Sequence, residues 1–275
     1  MPSRLSLAVL LAVLSAVPAR AASAVPPPAA DRLDLGWVKT VFRDAGGAAS
    51  SPARWDRRDW AEAGAVAAVG AGLYAGVDPW AQSLARRSQS DAAGKLAGVG
   101  QFFGNGFYTV PLLAASYFGA RAAGKARLAD ASLDAVESLA ISGLFVTGIK
   151  IAAGRERPYV NGRRGVWTGP GLSNDRYSFP SGHSSDAFSV ATVFALEYGP
   201  EHRWVPPAAY GLAALTAASR VYNDKHWTSD VFVGSALGWA VARYVVRARS
   251  AARPTLALVP ILERGGEGAV AVWRF

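Results

Sequence analysis

Cysteine is absent from this 275-residue chain, and histidine occurs three times. Without cysteine no disulfide can form, so an oxidising compartment is permitted but not required, and three histidines alone make no convincing zinc set. Lysine is nearly as scarce, confined to Lys39, Lys95, Lys125, Lys150 and Lys225, so the formal charge of +9 is carried mainly by arginine. Those arginines are scattered and do not form a stripe interleaved with aromatics, which excludes nucleic acid as the expected partner. No repeat of 20 to 50 residues is visible, which excludes a solenoid. What is present is apolar: 51% of the residues, enough for a substantial core, with alanine, glycine and valine suited to closely packed helices.

The N-terminus reads as a secretory signal peptide over residues 1–21. Arg4 is followed by an apolar run from Leu5 to Val17 and small residues around Ala19-Arg20-Ala21. The run is short for a bilayer span. Export follows as an expectation, with the mature protein in the periplasm or facing it. Residues 22–60 begin with the Pro-rich AVPPPAADRLD, expected to be a spacer, and end in RWDRRDW, where Asp59 is a candidate helix cap.

Six apolar segments follow, near residues 61–77, 96–120, 133–153, 185–198, 205–221 and 229–246. Their length and lack of strict alternation predict helices. The expected fold is all-α: a six-helix bundle over residues 61–250, closed by a short C-terminal β-hairpin over 251–275. The hairpin is read from two apolar runs flanking Arg264-Gly265-Gly266-Glu267-Gly268, with Pro260 restricting the first strand to an edge or bulge. A long Gly/Pro/Asn-rich connection carries Arg155, Arg157, Arg163, Arg164 and Arg176, and loops of that length usually have a task.

Three clusters hold the candidate chemistry. In Ser219-Arg220 followed by His226 and Asp230, a helix opening at Thr228 or Ser229 places Asp230 within reach of the His226 imidazole. A carboxylate on one ring nitrogen fixes the tautomer and frees the other for attack. In Pro180-Ser181-Gly182-His183, Gly182 admits close backbone approach, Ser184 is a candidate cap for a helix entering at Ser185, and His183 can serve as acid or base. In the stretch from Lys150 to Arg157-Pro158, two cations lie seven residues apart, with Gly154 and Pro158 marking a helix end. Each cluster alone is equally a core histidine, a capped turn or an exposed helix terminus.

Together, Lys-x6-Arg-Pro, Pro-Ser-Gly-His and Ser-Arg-x5-His-x3-Asp resemble the full signature of the type 2 phosphatidic acid phosphatase and vanadium haloperoxidase superfamily, with no departure. The resemblance implies His226 as phosphoryl-accepting nucleophile, Asp230 as its orienter and His183 as general acid. It implies Lys150, Arg157, Ser181, Gly182 and Arg220 as the phosphate cradle, with no metal and no cofactor. His202 matches no family position and reads as a solvated turn residue. Tyr222, Asp224 and Trp227 are candidate pocket residues, as are Arg163, Arg164 and Trp167.

The superfamily reading leaves three forms. A phosphatase acting on phosphomonoesters or lipid (di)phosphates, exported and soluble or peripheral, is set first, because mean hydropathy is only +0.15 and the third and sixth segments carry charges. An integral membrane lipid phosphatase acting on phosphatidate or undecaprenyl diphosphate is the alternative, and a vanadium-dependent haloperoxidase is the third. The expected partner is a phosphate-bearing small molecule or lipid, with membrane association included.

Overall fold

The computed structural model describes residues 33–252 together with the strands 255–263 and 266–274. The signal peptide and the Pro-rich start of the spacer lie outside the described residues. The helices are α1 (Leu35–Ser50), α2 (Arg57–Gly72), α3 (Asp78–Arg87), α4 (Asp91–Phe103), α5 (Gly106–Ala122), α6 (Ala126–Ala153), the single turn α7 (Pro158–Asn161), α8 (Gly182–Tyr198), α9 (Val205–Tyr222) and α10 (Thr228–Ala252). The strands β1 (Thr255–Glu263) and β2 (Gly266–Arg274) pair antiparallel, Val259 opposite Val270.

The helices exceed the six expected, for local reasons. The segment expected at 96–120 is two helices: Gly104 ends α4, and Asn105 restarts the chain by accepting the Phe107 amide. α1 arises in the stretch read as mixed, capped by Asp34, whose side chain accepts from Trp37 N. The cap of α2 is Asp56 and not Asp59. Asp59 is the third residue of a capping box, returning a bond to the Asp56 amide. A π-helical turn, Leu73–Val77, joins α2 to α3.

α8 is the central helix, packed against α10, α9 and α6. Small side chains make that possible. A Cβ at Gly234 would lie 2.3 Å from Ser181 O, and one at Gly238 would lie 2.1 Å from Ser185 O, so α10 meets the first turns of α8 almost backbone to backbone. Buried hydroxyls then join the helices: Ser189 Oγ lies 3.2 Å from both Ser142 Oγ and Gly238 O. The core around Ala131, Ala135, Val193 and Ala242 is correspondingly fine-grained.

The outside is apolar in the reverse sense. Phe107 is 79% exposed, Leu144 62% and Phe118 59%. Three helical stretches, Arg57–Arg87, Ala126–Ala153 and Thr228–Ser250, are long and apolar enough to cross a membrane. Some of the charges in them point inward: Asp134 and Glu137 are buried and meet Arg249 at 3.4 and 2.8 Å.

The backbone contact at Gly238 has a direct test. Gly238→Ala is expected to lower stability by about 1–3 kcal/mol through overpacking. Gly148→Ala, on an open face of α6, should be neutral or gain up to about 1 kcal/mol in helix propensity. Thermal midpoints in detergent compare the two; a Gly238→Ala protein as stable as the parent would contradict the close approach.

Candidate active site

α6 delivers Lys150 in its last turn and stops at Gly154, which takes the left-handed conformation (φ 57°) and donates its amide to Lys150 O. A side chain there would collide with Gly169 O, only 2.0 Å from the Cβ position. Lys150 Nζ donates to Tyr177 O at 2.6 Å. Beyond Gly154, Arg157 is held by two loops: Nε donates to Asn174 O of the long loop (2.8 Å) and Nη1 to Lys225 O, between α9 and α10 (3.3 Å).

The second cluster opens α8 one turn earlier than expected. Ser181, not Ser184, is the cap, accepting from Ser184 N at 3.4 Å and from Ser184 Oγ at 2.9 Å, and the helix begins at Gly182. His183 therefore lies in the first helical turn and not on the turn preceding it. Gly104 is pressed against it: a Cβ there would stand 2.9 Å from His183 O. Ser181 N donates to Asp230 O at 2.9 Å, which links this cluster to the third.

The third cluster hangs from the end of α9. The amides of Lys225 and His226 both return to Arg220 O, folding the chain back so that His226 is buried ahead of α10. His226 Nδ1 lies 2.6 Å from Ser178 O. A carbonyl can only accept, so Nδ1 carries the proton and Nε2 is left with its lone pair. The expected direct bond from Asp230 is not formed: its Oδ2 stands 3.9 Å from Nδ1. Oδ2 instead accepts from Ser178 Oγ (2.5 Å) and Trp227 N (2.9 Å), so Asp230 is connected to the imidazole only through Ser178.

The sequence-derived residues converge. Lys150, Arg157 and Arg220 all lie within electrostatic reach of both His183 and His226. Burial, reinforced by Arg220, Lys150 and Arg157, pushes the His183 imidazole down to about 3. Burial and the same cations hold His226 well below the usual histidine range, the Ser178 carbonyl opposing them. Arg220 is buried; Nη1 donates to Gln101 Oε1 at 3.0 Å, while Nε has no hydrogen-bond partner among the described residues. The site thus combines two imidazoles held neutral with three basic side chains, one of which carries a buried N–H without a partner among the described residues, an arrangement chemically suited to a tetrahedral anion.

Other candidates separate by place. Tyr222 and Asp224 line an open cleft of about 570 Å³ beside Arg220, with Arg86, Gln89, Gln101 and Lys225. Trp227 is buried, its indole N–H donating to Glu156 O. Trp167 and Arg164 pack within the loop, Trp167 under the Arg155 guanidinium and Arg164 bonded to Ala75 O. His202 is exposed. The residues sequence reasoning missed are Ser178 and Arg155. Ser178 lies only two residues before Pro180-Ser181-Gly182-His183, and Arg155 stood inside Lys-x6-Arg-Pro as an unassigned arginine.

Residues 131–254, which include all three clusters, match the family model described as PAP2 superfamily. Lipid A 1-phosphatase of Porphyromonas gingivalis is 49% identical over 61 residues, 22% of this chain and 14% of that protein. A PA-phosphatase related-family protein of Dictyostelium discoideum is 31% identical over 127 residues, 42% of this chain and 47% of that one. The chain thus spans less than half the length of these curated relatives. Among solved structures, the first transmembrane PAP2 type phosphatidylglycerolphosphate phosphatase from Bacillus subtilis shares the fold with a TM-score of 0.52 at 21% identity, over 69% of this chain and 96% of that one.

The depressed imidazoles make stability depend on pH with a definite sign. Unfolded histidine binds a proton below about 6.5, whereas folded His183 does so only near 3, so the unfolded state is favoured as pH falls between those values. The thermal midpoint in detergent is expected to drop from pH 7 to pH 5, and the drop to shrink in His183→Gln. An equally steep drop in that variant would assign the effect to other groups.

Proposed function

We propose that this chain is an integral membrane phosphatase that removes a terminal phosphate from a lipid through a phosphohistidine on His226, without a metal. The observation that carries the reading is the tautomer: Nδ1 is committed to Ser178 O, and the bare Nε2 belongs to an imidazole surrounded by Lys150, Arg157 and Arg220.

In the first step the Nε2 lone pair forms a bond to phosphorus while the bond from phosphorus to the leaving oxygen breaks. His183, protonated once the phosphate dianion is bound, gives that proton to the leaving oxygen, releasing an alcohol. In the second step His183 takes a proton from water, the water oxygen bonds to phosphorus, and the nitrogen–phosphorus bond breaks to return neutral His226 and inorganic phosphate. Nδ1 keeps its proton throughout, donating it to Ser178 O. The three cations, the Gly182 amide and Ser181 balance charge on the equatorial oxygens, a task that needs positioning more than covalent chemistry.

The membrane form now ranks ahead of the soluble one. Glu137 and Arg249, on two of the long helices, pair within the bundle, and large apolar side chains face outward. The curated relatives named as lipid A 1-phosphatase and PA-phosphatase support a lipid substrate.

His226→Gln is expected to reduce hydrolysis of a lipid phosphate in mixed micelles by at least about 1,000-fold, and His183→Gln by about 100- to 10,000-fold. Acid-labile label from ³²P-substrate should appear on the parent protein and be missing from His226→Gln. Turnover surviving in His226→Gln would remove the nucleophile from this scheme. Release of the chain from membranes by alkaline carbonate would remove the membrane reading.

A further inference from the structure

α3 lies outside the segment that matches the family model, yet one stripe of its surface is spent entirely on the loops of the site. Asp78, Gln82 and Arg86 are spaced four apart and so share a face. Asp78 is fully buried. Its Oδ1 accepts from Ser229 N at 2.8 Å, and its Oδ2 accepts from Ser229 Oγ at 2.6 Å and from Arg155 Nη2 at 2.8 Å. Arg155, also without exposed surface, passes the connection on: Nη1 donates to Asp230 Oδ1 and to Ser229 Oγ. One turn along, Gln82 Nε2 donates to Asp224 and to Val221 O. Arg86 then meets Asp224 Oδ2 at 2.9 Å and Pro158 O at 3.0 Å.

The partners are the two chain segments whose relative position the chemistry requires. Arg155 and Pro158 flank Arg157, while Val221, Asp224, Ser229 and Asp230 flank His226. Asp224 holds a positive φ of 57°, a conformation a non-glycine residue keeps only when its surroundings fix it. Its side-chain partners among the described residues are on α3. The π turn that precedes Asp78 interrupts the regular register just before this stripe begins.

We infer that α3 is a positioning clamp: Asp78 acts through Arg155, Asp230 and Ser178 to hold the His226 tautomer, and Gln82 with Arg86 fixes the loop carrying His226 against the segment carrying Arg157. The inference rests on the proposed role of His226 as nucleophile. None of the three α3 side chains is placed among the groups that touch phosphate, so they act on transfer and not on binding.

Two variants test it. Asp78→Asn keeps the shape of the side chain and removes its charge; Arg86→Ala alters a partly exposed residue and leaves the core intact. Per folded molecule, quantified by size-exclusion chromatography, Asp78→Asn is expected to lower kcat about 100-fold, as a misplacement near 1 Å would, with KM within about threefold of the parent. Arg86→Ala is expected to lower kcat by about 10-fold, again without a matching rise in KM. A purely structural role would reduce the folded fraction and leave kcat per folded molecule unchanged, and that result overturns the clamp; if Asp78→Asn does not fold, Arg86→Ala decides on the same criterion. ¹⁵N-histidine NMR gives a readout independent of turnover. Parent His226 should show a protonated Nδ1 and a bare Nε2, and Asp78→Asn, or Arg86→Ala in its place, should show a mixture of tautomers. A parent-like His226 spectrum in the folded variants overturns the clamp, whereas a changed spectrum with no hydrolysis by the parent supports the clamp and removes the catalytic reading.

Discussion

Arg155 is a full positive charge with no exposed surface, and its position is tenable only because Asp78 and Asp230 meet it from two sides. An ion removed from water loses several kcal/mol of solvation, which a buried partner restores only with good geometry and further hydrogen bonds. Both conditions are met: the guanidinium also bonds Ser229 Oγ and lies over the rings of Tyr74 and Trp167 at 4.9 and 5.0 Å. Since Asp230 is committed to Arg155 through one oxygen and to Ser178 through the other, this one ion cluster joins α3, the long loop and α10, and passes through Ser178 to His226. Breaking a buried pair of this kind is far more costly than breaking a surface pair, so the site geometry and the stability of this end of the bundle have a common origin.

The same economy of space governs the bundle. Gly234 and Gly238 bring α10 onto the start of α8, and small or hydroxylic residues fill the remaining contact surfaces. Packing by small side chains leaves the large ones free to face outward, the reverse of a water-soluble core. Mean hydropathy conceals this inversion, because alanine and glycine contribute little and interior charges subtract. Segments judged by their charge-free length looked too short to cross a membrane. Once Asp134 and Glu137 are seen to pair inside with Arg249, that objection loses its force for the third segment.

Legibility in the sequence followed sequence distance. Lys150, Arg157, His183, Arg220 and His226 were readable because each lies in a short motif whose residue types carry their own chemistry, and the structure gathers them. The start of α10 near Thr228 was equally local. The capping error at Ser184 shows the limit of that reasoning: Ser181 and Ser184 both have cap chemistry, and the choice between them is made by the Ser181 amide bonding to Asp230 O, a contact across 49 positions that no window contains. Asp78 was invisible for the same reason at greater range, since its partners are Arg155 and Ser229, |i−j| of 77 and 151. Asp230 was assigned to His226 because four residues separate them on one helix start, and the structure inserts Ser178 between their functions.

The electrostatics of the site impose an order on the proposed reaction. Buried and facing three cations, both imidazoles are held neutral in the free site. Neutrality suits His226, which must attack through a lone pair, but not His183, which must give up a proton. A phosphate dianion between them changes the balance for both, because two negative charges offset most of the cationic field and favour the protonated form of the nearer group. His226 resists that change, since Ser178 O already holds its one proton and Nε2 faces phosphorus. His183, without such a commitment, is the group free to take it. In the proposed reaction the substrate thereby arms its own general acid, and without phosphate the site would offer a nucleophile but no proton donor. This explains how two chemically identical side chains, bathed by the same cations, can be assigned opposite tasks: the difference lies in a single backbone carbonyl, positioned by Asp230, Arg155 and a helix that no local sequence pattern connects to them.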